Sequence, residues 1–218
     1  MTGTPLYAMQ HWKGETIVRL LRTISILGII TVPTAAWADG PPFGLHWGDT
    51  VQALSDRGVV LQIEQSSPTS VQAAATALRI KPAQPGSVEI VVNKAFGLQR
   101  IIWTSTEIED TAFGTQGIAA YQQRKRAMTK DYGTPRYVAE EMWAEFYSSP
   151  DQFYECLAAD GCGTYLSQWR TYDGDLILQL VAAKAPHRGQ LKITYDGPRW
   201  DDIKAGNTGK KNDRATTR

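Results

Sequence analysis

The sequence predicts an α+β fold: a two-layer sandwich in which a few helices pack on an antiparallel sheet, with one disulfide. Alternating apolar residues, separated by short turns, recur along the chain and predict strands. An apolar pattern spaced by three and four residues, together with two capped segments, predicts helices among those strands. Strands joined by short turns pair antiparallel, so this order favours two layers over a parallel doubly wound sheet.

The first 38 residues have the three parts of a cleavable export signal. Lys13, Arg19 and Arg22 precede an apolar run from Ile24 to Val32, and small residues at Ala36 and Ala38 come before Asp39. The alternative is a retained membrane anchor, which needs about 20 consecutive apolar residues. This run is shorter, so we expect a periplasmic or secreted protein that begins at Asp39 and has no stable membrane anchor.

Residues 39–204 are expected to form a single α+β domain, followed by a disordered basic tail over residues 205–218. The tail carries a net charge of +3 and no bulky apolar residue. The alternative is a basic arm that contacts an acidic partner or lipid headgroups. The chain without its first 38 residues has 20 basic and 21 acidic side chains, and this balance gives no support for a nucleic-acid partner.

The first half of the domain is predicted to contain one short helix and four strands. Asp49 or Thr50 can cap a helix that Gly58 ends. A loop is expected over residues 66–70 because it is polar and contains a proline. Strands are predicted over 59–63, 76–80, 88–92 and 98–104, with turns at 82–86 and 95–97.

A longer helix is predicted between residues 118 and 132, where Gly133 and Pro135 end it. Its first face is formed by Ile118, Tyr121, Lys125, Met128 and Tyr132. The other face is formed by Gln122, Arg124, Arg126 and Lys130. This second face fits a solvated surface, and alternatively a docking face for an acidic partner.

The second half is predicted to contain a helix and a three-strand meander. Residues 137–147 fit either a strand or a helix, and we favour the strand. Ser149 and Pro150 begin a helix with a capping-box glutamine at Gln152. Strands are predicted over 164–171, 176–182 and 191–195, with an Asp-Gly turn at 173–174, and a last turn is expected over 200–203.

The two cysteines, Cys156 and Cys162, predict one disulfide that closes a small loop in an oxidising compartment. Such a loop contributes roughly 2 kcal/mol in the chain-entropy estimate. A zinc site with His46 or His187 is the alternative, but the cysteine spacing matches no usual zinc pattern. We therefore expect no metal and no cofactor.

The chain lacks the common signatures of a nucleophile or of phosphate binding. Three neighbouring carboxylate pairs could serve as an acid and a base, which keeps an envelope hydrolase acting on glycan or peptide as an alternative. These pairs are Glu107 with Glu109, Glu140 with Glu141, and Asp201 with Asp202. A small-ligand carrier is a third hypothesis and requires an apolar cavity between sheet and helices.

Aromatic residues are the most unusual chemical feature of the chain. Large aromatic side chains dominate both protein cores and binding hot spots, and the core interpretation is favoured for most of them. A binding surface is nevertheless expected if some of them lie exposed on one sheet face. The candidates for that surface are Trp103, Tyr165, Trp169 and Tyr172.

Four segments resemble a group of small exported bacterial proteins that open with F-G-[LI]-x-W-G. They are FGLHWGDTVQAL from Phe43, YGTP from Tyr132, FYECLAADGCGTYLSQW from Phe153 and LKITYDGP from Leu191. The group has no assigned activity, so the resemblance implies an exported α+β domain and no catalytic residue. Together these features favour an exported soluble binding protein that recognises or inhibits an envelope or secreted protein.

We predict that the protein recovered from the cell envelope has lost its first 38 residues. Intact mass and N-terminal sequencing should place Asp39 at the amino terminus. A full-length chain found inside the cell, with its leader uncut, would contradict export and with it the expected disulfide.

Overall fold

The computed structural model describes residues 40–142 and 149–205. The expected signal and nearly all of the expected tail lie outside these residues. Within them, the predicted α+β class is confirmed, because helices pack on one antiparallel sheet of nine strands. No helix in these two ranges is long and apolar enough to cross a membrane.

The sheet runs in the order β1-β2-β3-β4-β9-β8-β7-β6, and the short β5 pairs with β9. The strands are β1 (Val60–Ser66), β2 (Ser70–Ala77), β3 (Gly86–Asn93), β4 (Gly97–Ser105), β5 (Ile108–Glu109), β6 (Tyr137–Met142), β7 (Gly163–Arg170), β8 (Asp175–Ala182) and β9 (Arg188–Asp196). Every pairing is antiparallel. Because β1 and β6 stand at the two ends of this order, they are its edge strands.

The helices are α1 (Val51–Asp56), α2 (Thr115–Tyr132), α3 (Phe153–Ala158) and α4 (200–205). Short 3₁₀ turns occupy Pro42–Gly44 and Pro150–Gln152. The Thr50 side chain accepts a hydrogen bond from the Ala53 N–H, as a helix cap should. The helix predicted over residues 118–132 is confirmed as α2, which begins three residues earlier, at Thr115.

One predicted strand is placed wrongly, and another prediction is only partly described. The strand expected over 76–80 is β2 (Ser70–Ala77), and the loop expected over 66–70 is a tighter turn. Alanine has weak strand propensity, so the alternation of Val71, Ala73 and Ala75 gives little sequence signal. The strand favoured over 137–147 is present as β6 up to Met142, and residues 143–147 lie outside the described part.

One face of the sheet, here called the inner face, carries the hydrophobic core. The strand register places Ile101 opposite Tyr195, and Leu178 opposite Ile193. Because Ile193 and Tyr195 are two positions apart in β9, these four side chains lie on the same face. Both α2 and α3 pack on β8, with α2 reaching β9 and α3 reaching β7. The core is consequently one-sided, with its buried strand residues on the face that the helices cover.

Asp110 fixes the start of α2. One oxygen of its carboxylate accepts from the Gly117 N–H at 2.7 Å and from the Tyr154 hydroxyl of α3 at 2.8 Å. The other oxygen accepts from the Thr111 N–H at 2.6 Å. Burial alone raises the pKa of Asp110, but these hydrogen bonds outweigh it and hold the pKa below its usual value.

The predicted disulfide is confirmed. It joins Cys156 in α3 to Cys162 just before β7, and both residues are buried. An intramolecular disulfide is compatible with an exported protein, because such bonds persist in oxidising compartments. The bond anchors α3 to the strand that follows it.

The Trp-Gly pair in the opening motif joins the amino-terminal segment to the sheet. The Trp47 indole donates to the Asp173 carboxylate at 2.6 Å. Gly48 has φ +88° and donates its N–H to the Leu98 carbonyl. A Cβ at Gly97 would lie 2.0 Å from the Gly48 carbonyl oxygen, so this close approach requires glycine. The motif therefore has a structural role.

We predict that Asp110→Asn lowers the free energy of unfolding by about 1 kcal/mol at pH 7, because an amide nitrogen cannot accept these hydrogen bonds. Because folding lowers the pKa of the Asp110 carboxyl, the ionised group stabilises the fold at pH values above its ordinary pKa of 3.8. This stabilisation is lost as the pH falls through the lowered pKa. The difference between the two proteins should therefore shrink below about pH 4. Urea unfolding from pH 7 to pH 3 measures it, with exposed Asp160→Asn as the matched control. A difference that is independent of pH would refute the assignment.

Candidate functional site

The face of the sheet opposite the core, here called the outer face, is one candidate site. Two neighbouring rows of paired residues cross its centre. The first row is Glu89, Ile102, Thr194, Ile177 and Gln168. The second row is Ser87, Thr104, Lys192, Gln179 and Leu166. Ile102, Ile177, Gln179 and Leu166 are partly exposed and belong to no part of the hydrophobic core.

These rows are close to electrically neutral. They contain one acidic residue, Glu89, and one basic residue, Lys192. Glu89 accepts a hydrogen bond from the Gln72 amide. Between the two charges lie aliphatic, hydroxyl and amide side chains, a composition that suits the centre of a protein interface, where charged residues are depleted.

A network of ion pairs closes one end of the outer face. The Arg100 guanidinium donates two hydrogen bonds to Asp196, at 2.6 and 2.8 Å, and stacks over the Trp200 ring of α4 at 3.9 Å. Asp175 pairs with Arg170 and Arg136, and the pairing with Asp175 raises the pKa of Arg170. Because these charges largely compensate one another, this end of the face has little net charge.

The aromatic binding surface expected from the sequence is not assembled. Trp103 and Trp169 are 3% and 1% exposed and belong to the core. Tyr165 also lies on the inner face, where it contacts Tyr121 and Phe153. Tyr172 is 98% exposed in the β7–β8 turn. The structure thus packs Trp103, Trp169 and Tyr165 on the core side of the sheet and leaves Tyr172 exposed and apart from them.

A small acidic cavity of about 140 Å³ lies beside Tyr172 and Trp200. It is lined in part by Asp173, Asp175, Asp196 and Asp201. Each of these carboxylates already has a donor, since Asp173 accepts from Trp47 and Asp201 pairs with Lys204, which lowers the pKa of Asp201. In residues 40–142 and 149–205 no group of three or more possible ligands could hold a metal ion.

The carboxylate pairs considered for hydrolysis have other partners or geometries. Glu107 and Glu109 both pair with Arg188, and Asp202 pairs with Arg199. Glu140 and Glu141 are successive residues of β6, so their side chains point to opposite faces. These placements do not support the arrangement of two facing carboxylates that glycoside hydrolysis uses.

His46 and His187 both lie at the surface. His46 Nδ1 is 3.7 Å from Asp49, and His187 Nδ1 is 3.9 Å from Glu155. Because the two sulfurs bond to each other, no thiolate is available for the alternative zinc site.

A buried polar cluster joins α2 to β6 and β7. The Tyr121 hydroxyl lies 2.7 Å from the Ser167 hydroxyl, and both residues are fully buried. Burial raises the pKa of Tyr121 well above its usual range. Glu140 accepts from Lys125 at 2.6 Å and from Gln122 at 2.8 Å. Burial raises the Glu140 pKa, but the hydrogen bonds and charge of Lys125 and the bond from Gln122 bring it below its usual value.

The face of α2 predicted to be basic and solvated is divided. Arg126 and Lys130 are exposed. Gln122 and Arg124 are partly buried, and Arg124 donates to Gln84 and lies over the Trp103 ring. The sequence pattern places these residues on one helical face. It carries no signal that the 82–86 turn packs near Arg124.

No family model, no curated protein and no solved structure matches this chain. The sequence predicts a sheet face as the binding surface but assigns aromatic residues to it. The polar positions of the alternating strands are the signal that indicates the outer face.

We predict that Tyr121→Phe destabilises the protein by about 1–3 kcal/mol, because it leaves the buried Ser167 hydroxyl without its partner. Ser167→Ala should have a similar effect. The double variant should lose less than the sum of the two single changes, since no orphaned hydroxyl remains. Denaturant unfolding measures the cycle, with exposed Tyr137→Phe as the control. Additive losses would show that the two hydroxyls are not coupled.

Proposed function

We propose that this protein is an exported binding protein that recognises another protein of the bacterial envelope through its outer face. The observation that carries the proposal is the one-sidedness of the sheet. Helices α2 and α3 pack on the inner face, while Ile102 and Ile177 remain partly exposed on the other. A wide antiparallel sheet can keep one face in contact with water, and aliphatic residues there favour contact with a partner.

The size of the outer face supports a protein partner. Adjacent strands lie about 4.8 Å apart, so the six neighbouring strands β2, β3, β4, β9, β8 and β7 span about 24 Å across the sheet. A strand of eight residues, such as β8, is about 27 Å long. The resulting area of about 650 Å² approaches the roughly 800 Å² that each partner contributes to a standard interface.

The chemistry of the face favours protein over glycan. Glycan recognition commonly places aromatic rings flat against sugars, but none of the residues of the two central rows is aromatic. The Trp200 ring at the end of the face is covered by Arg100. Alternating aliphatic and amide side chains instead suit the buried centre and the hydrogen bonds of a protein interface.

The expected leader and the disulfide support the location. A chain with an export signal that retains an intramolecular disulfide fits the oxidising periplasm or the extracellular space. The hydrolase alternative receives no support, because among the described residues its candidate carboxylates pair with cations or lie on opposite faces of a strand.

The test is site-specific crosslinking in the envelope. A photoreactive residue at Gln179, in the centre of the outer face, should crosslink to one partner protein, and one at exposed Gln84 on the other side should not. Adding Ile177→Glu should reduce that crosslink at least tenfold, because a charge buried in an interface costs several kcal/mol when unpaired.

Ile80→Glu is the matched control, since Ile80 is an exposed isoleucine outside the outer face. It should leave the crosslink unchanged, and circular dichroism should show that both variants are folded. Absence of a crosslink at Gln179, or equal loss in both variants, would reject the proposal.

A further inference from the structure

A second cavity, of about 360 Å³, opens between α2 and the ends of β4 and β5. It lies on the helical side of the sheet, away from the outer face. Ile108, Ala120 and Leu191 give it an apolar wall. Gln84, Gln123 and Arg124 contribute polar groups. We call this cavity the α2 groove. Its volume is at the small end of the range of about 300–1,000 Å³ for small-molecule sites.

Among the described residues, Arg124 is the one charged residue that lines the α2 groove. Its guanidinium donates to the Gln84 side-chain oxygen and lies 5.5 Å from the centre of the Trp103 ring. Within residues 40–142 and 149–205 it forms no ion pair, whereas the nearby Glu107 and Glu109 pair with Arg188. The groove therefore holds a positive charge that no carboxylate of the described residues compensates.

Trp103 does not line the α2 groove, but its ring lies beneath the Arg124 guanidinium. It is 3% exposed, and its indole nitrogen has no hydrogen-bond acceptor in the described part of the chain. A Cβ atom at Gly86 would lie 2.7 Å from that nitrogen, so the indole N–H sits directly behind the turn that supplies Gln84. A buried donor without an acceptor is unfavourable. In the described part of the chain, the region therefore combines a buried N–H donor without an acceptor and a guanidinium without an anionic partner.

We propose that the α2 groove binds a small organic carboxylate. The carboxylate accepts two hydrogen bonds from the planar guanidinium of Arg124, which matches its geometry. The apolar body of the ligand packs against Ile108, Ala120 and Leu191. A dianionic phosphate is the poorer match, because the groove offers one cation and an apolar wall.

Titration of the purified protein with benzoate, followed by ¹H–¹⁵N NMR, tests this site. Benzoate should produce saturable shifts in the amides of residues 105–108 and 120–127 and in the Trp103 indole resonance, which Trp103→Phe assigns. Benzamide has the same shape without the charge and should bind at least tenfold more weakly. Inorganic phosphate should produce no saturable shift at these positions.

Two variants and one control separate the site from surface attraction. Arg124→Gln should weaken benzoate binding tenfold or more, and Arg124→Lys should restore part of it because the charge returns without the fork. Ala127→Leu should block the groove while leaving α2 helical. Arg126→Gln removes an exposed charge from the same helix and should have no effect.

Equal affinity for benzoate and benzamide, tighter binding of phosphate, or unchanged binding in Arg124→Gln would each overturn the proposal. If Arg124→Gln is not folded, Ala127→Leu decides, and benzoate binding that survives it would overturn the proposal as well. The benzoate titration and the crosslinking at the outer face probe different parts of the protein, so the two proposals can fail separately.

Discussion

The attachment of α2 to the inner face is the constraint on which the rest of the structure depends. Tyr121 contacts Ser167 inside the core, and Lys125 holds Glu140 at the sheet edge. Asp110 fixes the helix start and ties it to α3 through Tyr154. The Tyr121–Ser167 pair is fully buried and specifies one arrangement, because either hydroxyl left alone would lose its hydrogen bond in a place that water does not reach.

This attachment gives the two sides of the sheet different chemistry. The inner face buries the aromatic residues and leaves a groove where Arg124 meets the 82–86 turn. The outer face keeps aliphatic and amide residues around Ile177, with charges that cancel. A wide neutral surface suits a folded partner, and a narrow cationic groove suits a small anion.

Much of the fold could be predicted from local patterns. The helix ending at Tyr132, the Asp-Gly hairpin after β7 and the disulfide follow from spacing, turn chemistry and cysteine count. The prediction failed at β2 (Ser70–Ala77), where alanines obscure the alternation. The site could not be predicted in the same way, because exposure of Trp103 or Trp169 depends on residues far away in the chain.

By itself, then, the sequence determined the α+β class, the order of most elements and which residues of each strand share a face, since periods of 2 and 3.6 are local properties. Only the tertiary structure decided which face is covered. That choice depends on where α2 and α3 pack, and their contacts join residues such as Tyr121 and Ser167, which are 46 positions apart. Long-range packing therefore placed the tryptophans in the core and left Ile102 and Ile177 at the surface.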